Sequence, residues 1–126
     1  MKFGSDTCNP FITLACDFRC PYCITKATPG WNFGYLHRDC VEWAAALNNL
    51  DDVKHIVLNG GEPTLRPGFA DMIAAIAPSD AVWPNDWKIA LGCNGTERAR
   101  KVLLATAPRP DFIIDLSFHP SDITLP

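Results

Sequence analysis

Cys16, Cys20 and Cys23 are the residues whose type and spacing most plainly invite chemistry. Thiolates are strong ligands for zinc and for iron–sulfur clusters. Offsets of four and then three could instead put three small side chains on one buried helical stripe. Pro21 argues against the stripe, because inside a helix it would remove a backbone donor and clash with the preceding turn. A loop that turns its thiols towards a bound group is the better reading. With no fourth cysteine or histidine close by in sequence, a tetrahedral zinc site would be one ligand short, and a four-iron cluster would keep one iron open.

A second candidate is Gly60-Gly61-Glu62-Pro63. Glycine lets a backbone approach a ligand closely, and a carboxylate complements a cation, although Gly-Gly is also an ordinary turn. Asn94, in Cys93-Asn94-Gly95-Thr96, reads either as a polar contact or as a turn former and helix cap. Ser117 and His119 follow a later apolar run, where His119 reads as a surface or supporting histidine ahead of a catalytic one. Of the other cysteines, Cys40 falls on an apolar helical stripe and reads as core. Cys93 reads as a packed thiol, with hydrogen-atom donation as the alternative, and Cys8 sits in a polar leader with no assigned role.

The elements that must position these residues follow from periodicity. Residues 11–15 form a short apolar run that leads straight into the cysteines, and residues 56–58, 87–91 and 112–116 form three more. Between them, Cys40, Val41, Trp43, Ala44, Leu47 and Leu50, then Phe69, Met72, Ile73 and Ile76, then Ala99, Val102 and Leu103 recur at helical spacing, the last group capped by Thr96. A strand–helix alternation of this kind implies parallel pairing, because each crossover returns the chain to the same end of the sheet. The fold class is therefore α/β, with four βα units in sequential strand order. Every motif lies just after a strand, so the four loops converge on the end where such sheets assemble their sites.

Cys-x3-Cys-x2-Cys with Tyr22 before its last cysteine, followed after the second strand by Gly60-Gly61-Glu62-Pro63, resembles the radical S-adenosylmethionine (SAM) superfamily. The resemblance implies a 4Fe-4S cluster held by Cys16, Cys20 and Cys23, whose open iron chelates the amino and carboxylate groups of SAM. It places Tyr22 beside the adenine and Gly60, Gly61, Glu62 and Pro63 at the SAM ammonium. Asn94, Ser117 and His119 become further SAM contacts. One electron from the reduced cluster then cleaves the sulfonium, and the 5'-deoxyadenosyl radical abstracts hydrogen from a substrate that the motifs do not specify. No protein acid or base is required for that initiating step, so no catalytic side chain is assigned. The family core has about six βα units in a partial TIM-type barrel. Residues 1–126 thus read as its N-terminal portion, ending after the fourth strand with an edge for a completing chain.

Composition narrows the partners. The chain has 126 residues, 48% of them hydrophobic and 20% charged, as expected of one globular domain. A net charge of -3 weakens the case for nucleic acid or an anionic membrane and suits a small-molecule or peptide substrate, alongside an electron donor. Six cysteines with no signal-peptide core in the leader point to a reducing cytoplasm, where close cysteines are metal ligands rather than disulfides. Two other readings compete. One is a non-catalytic zinc or electron-transfer module that recruits Cys8, Cys93 or a histidine as fourth ligand; the other is an inactive fragment that needs a partner.

Overall fold

The computed structural model describes residues 4–18, 20–23, 38–76 and 88–117. The loop at residues 29–34, Trp87 and His119 lie outside the described residues. The first strand is one line broken in two, β1 (Thr7–Cys8) and β2 (Phe11–Thr13). Both pair in parallel with β3 (His55–Gly60), Thr7 opposite His55 and Cys8 opposite Ile56, then Phe11 opposite Asn59 and Thr13 opposite Gly60. Pro10 accounts for the break: it has no N–H to offer a ladder, although its carbonyl still accepts from the Asn59 N–H at 2.9 Å. The paired line thus begins earlier and stops sooner than residues 11–15, and it places Cys8 in the core instead of in a polar leader.

β3 alternates buried and partly buried residues, burying Ile56 and Leu58, and β4 (Lys88–Cys93) does the same with Ile89, Leu91 and Cys93. β5 (Phe112–Leu116) pairs with β4, and all pairings are parallel. The order β1/β2, β3, β4, β5 is sequential, as the strand–helix alternation requires, and the sheet does not close.

Three helices make the crossovers. α1 (Cys40–Asn48) starts at Asp39, whose carboxylate accepts from the Glu42 N–H while Glu42 reaches back to the Asp39 N–H, a reciprocal capping box. It buries Cys40, Ala44 and Leu47, and α2 (Phe69–Ala75) buries Phe69, Met72 and Ile73. α3 (Glu97–Ala105) is capped by Thr96, which accepts from the Ala99 N–H at 3.3 Å. Ile12, Ile56, Leu58, Ile89 and Leu91 from the sheet and Phe69, Met72, Ile73 and Ile76 from α2 and its end form the centre of the core. Each large aliphatic side chain removed from water there contributes about 1.5–3 kcal/mol.

Arg109 anchors the return to β5. Its guanidinium forms a two-pronged ion pair with Asp111, at 2.9 and 2.6 Å, and donates to the carbonyls of Ile73 and Ile76 at the end of α2. A cation on those carbonyls satisfies acceptors the helix leaves open. The same guanidinium holds the Asp111 carboxyl below the usual carboxylate range. Beyond this anchor β5 is thinly covered. Ile113 and Ile114 are exposed and Leu116 is 70% exposed, beside a groove of about 430 Å³ lined by Gly95, Arg100, Leu103, Leu104, Ile114 and Leu116. Among the described residues, no helix is long and apolar enough to cross a membrane.

Candidate functional site

The ends of β2, β3, β4 and β5 lie together because the strands are parallel and adjacent. Pairing between the first two continues past the strands themselves. The Gly61 N–H donates to the Thr13 carbonyl at 2.9 Å and the Glu62 N–H to the Ala15 carbonyl at 2.8 Å. These bonds require bare backbone at both glycines. A Cβ at Gly60 would stand 2.3 Å from the Thr13 oxygen, and one at Gly61 would stand 2.4 Å from the Ala15 oxygen and 2.7 Å from that of Leu14. The close approach anticipated from Gly-Gly is therefore made to the segment that carries Cys16.

That segment is irregular, as Pro21 demands. Cys16 and Cys23 are half-buried and Cys20 is buried, and none of the six cysteines is in a disulfide. The Phe18 N–H donates to Cys16 Sγ at 3.4 Å, and the Cys23 N–H closes a turn on the Cys20 carbonyl at 3.1 Å. Tyr22 is 61% exposed on the same turn. Among the described residues, no three His, Cys, Asp or Glu side chains converge as they would to hold a single ion. A four-iron cluster takes one thiolate per iron, so its thiolates stand further apart than the ligands of a single ion. Three thiols on one loop, with an N–H already aimed at the sulfur of Cys16, fit that group in ligand type and number.

Glu62 faces inward. It is 1% exposed and caps a single 3-10 turn at Pro63–Leu65. One carboxylate oxygen accepts from the Thr64 N–H at 3.1 Å and the Thr64 hydroxyl at 2.5 Å, and the other accepts from the Asn94 N–H at 2.7 Å. Its charge thus tightens the joint between the β3 and β4 loops. Asn94 is buried and equally engaged: its Nδ2 donates to Asp17 at 2.6 Å, and its Oδ1 accepts from the Thr96 N–H at 3.2 Å. The Thr96 hydroxyl donates to the other Asp17 oxygen at 3.0 Å while capping α3.

Asp17, Thr64 and Thr96 as a linker are the residues that sequence reasoning did not single out. Asp17 and Asn94 are 77 positions apart, and no local pattern marks such a pair. Cys93 is 1% exposed and packed, with its sulfur accepting from the Gly95 N–H at 3.3 Å. Burial pushes its thiol up to about 11, and the nearby Glu62 carboxylate acts in the same direction. Ser117 is exposed just past β5, joined to β4 through its N–H on the Cys93 carbonyl at 2.7 Å.

The family model of the radical SAM superfamily matches residues 11–119. A GTP 3',8-cyclase of Klebsiella pneumoniae subsp. pneumoniae is 36% identical over 94 residues, which are 72% of this chain and 27% of that protein. The chain thus spans about a quarter of the length of that relative, and no solved structure matches it. The chain belongs to the radical SAM superfamily, a family of enzymes.

Proposed function

We propose that Cys16, Cys20 and Cys23 hold a 4Fe-4S cluster and that the adjoining end of the sheet binds SAM, as the first units of an enzyme core that cleaves SAM reductively. The observation that carries this reading is the joining of the three-thiol loop to the ends of β3 and β4 through the Gly61 and Glu62 N–H groups and the Asp17 carboxylate. A cluster bound there would supply one electron to SAM, whose sulfonium–carbon bond breaks to give methionine and a 5'-deoxyadenosyl radical that takes hydrogen from substrate.

The chain's own residues position and shield. Backbone around Gly60 and Gly61 offers SAM its polar contacts, and Tyr22, Pro63, Ser117 and His119 are its proposed neighbours. Glu62 and Asn94, whose polar atoms are already bonded, act by holding that backbone in place. The likeness to a GTP 3',8-cyclase covers 27% of that protein, so it supports shared cofactor chemistry and leaves the substrate open. We assign to this chain the cofactor half of the site, reduced by an electron donor in the cytoplasm. We place the substrate half beside the exposed β5 edge, where a covering segment or chain would complete it.

Anaerobic reconstitution with iron and sulfide tests the reading. The expected result is a cluster whose reduced EPR spectrum changes when SAM is added. Stoichiometric binding of one zinc, with no SAM-responsive cluster, would replace this function with that of a non-catalytic metal module.

A further inference from the structure

The Asp17 carboxylate is placed to do more than fill the space between two cysteines. It follows Cys16 directly, and each of its oxygens is bonded across the site, one to Asn94 Nδ2 at 2.6 Å and one to the Thr96 hydroxyl at 3.0 Å. Both partners are fixed in turn. The Asn94 N–H is held by the buried Glu62 carboxylate at 2.7 Å, and Thr96 caps α3. The cysteine loop is therefore tied to β4 by side chains, just as it is tied to β3 by the Gly61 and Glu62 N–H groups.

Two ties to neighbouring strands resist rotation of a loop that a single tie would allow. Asp17 is exposed overall, so its hydrogen bonds compete with water, and their effect lies in loop geometry more than in global stability. We propose that Asp17 and Asn94 form a positioning pair that sets the cysteine loop, and with it the cluster, against the SAM-binding backbone at β3. This inference rests on the functional reading above. It gives Asn94 a role through Asp17 in place of a direct contact with SAM.

The pairing is directional, which makes it testable. Asp17 accepts two bonds; the Asn94 side chain donates one and accepts one from the Thr96 N–H. Exchanging the two residue types keeps every bond. The amide, moved to the cysteine loop, would donate to the carboxylate now at the end of β4 and accept from the Thr96 hydroxyl, and that carboxylate would still accept from the Thr96 N–H. Asn94→Asp alone sets two carboxylates against each other, and Asp17→Ala removes the tie.

The experiment compares the wild-type chain, Asp17→Ala, Asn94→Asp and the double exchange that combines Asp17→Asn with Asn94→Asp. Iron and sulfide content, the EPR response to SAM and SAM affinity by calorimetry are measured on the reconstituted proteins, and hydrogen exchange at residues 16–23 on the apo forms. All four should take up the cluster, because the three thiols are untouched. The two single variants should show faster exchange in the cysteine loop, a diminished EPR response and SAM affinity reduced by about tenfold or more, as loss of a charge-assisted bond implies. The double exchange should restore all three to within about threefold, a recovery that a generic packing defect would not give. Wild-type behaviour in both single variants, or a double exchange as impaired as they are, would overturn the pair while leaving the cluster assignment standing. A wild-type chain that forms no SAM-responsive cluster would overturn the functional reading and the pair with it.

Discussion

Gly61 lies so close to Ala15 that a Cβ on the glycine would stand 2.4 Å from the alanine's carbonyl oxygen. Backbone cannot yield there as a flexible side chain would, so Gly61→Ala should lower stability by about 1–3 kcal/mol and displace the cysteine loop along with the β3 loop. Gly92→Ala is the matched control: its Cβ would meet only Asn59 Oδ1 at 3.9 Å, and its cost should stay within about 0.5 kcal/mol. Urea unfolding of both variants checks the contrast. Equal midpoints would show that the Gly61 contact relaxes freely.

Replacing Glu62 should damage the fold as well as any ligand site. Glu62→Ala leaves the Asn94 N–H and both Thr64 donors without their buried acceptor, at a cost on the order of 3 kcal/mol. Glu62→Gln retains one acceptor oxygen and should fall between wild type and alanine. If denaturant midpoints of the Ala variant match wild type, the carboxylate is available to a ligand and its inward bonds are incidental.

Cys16→Ala, Cys20→Ala and Cys23→Ala should each abolish the reconstituted cluster. The unfolding free energy of the apo proteins should change by less than about 1 kcal/mol for the half-buried Cys16 and Cys23. Cys40→Ala, with a buried thiol that donates to the Pro67 carbonyl, should do the opposite, costing stability while leaving iron content unchanged. Iron analysis beside urea titration separates the two patterns.

Cys93 should be inert towards iodoacetamide in the folded apo chain at pH 8. With its thiol pushed to about 11, roughly one in a thousand is ionised at that pH, and the residue is 1% exposed. Cys8 and Cys40, also raised by burial, should follow it, while Cys16 and Cys23 react first. The sign of the linkage is fixed: the folded state keeps the Cys93 proton where the unfolded state loses it. Its contribution to stability is full below pH 9.0 and is lost as the pH rises towards about 11. Mass spectrometry before and after denaturation would contradict this if Cys93 were labelled in the native chain.

The outer edge of β5 should drive self-association of the chain as it stands. Among the described residues β5 pairs only with β4, and Ile114 and Leu116 line an apolar groove beside it. Light scattering should show mass rising with concentration, and Ile114→Lys with Leu116→Lys should suppress the rise. A monodisperse monomer at high concentration would show that the edge is already protected.

The sequence alone was enough for the parallel α/β order, the three helices, the Thr96 cap and the thiol loop broken open by Pro21. Each depends on residues within a turn or two of one another, where period, capping and proline sterics act. Strand ends were less legible: β3 and β4 run on to Gly60 and Cys93, inside the motifs, because pairing with neighbouring strands extends them. The Asn9-Pro10 break likewise shows only once β3 supplies a ladder for both halves. Tertiary structure alone decided what the motif residues do with their polar atoms. Glu62, read as a partner for a bound cation, turns inward to an N–H 32 positions away, and Asp17, unremarked in the sequence, bonds to Asn94 across 77 positions. Such choices belong to the packing of loops at one end of a sheet, where a buried carboxylate must find donors wherever the fold brings them. No local pattern in the chain encodes which donors those will be.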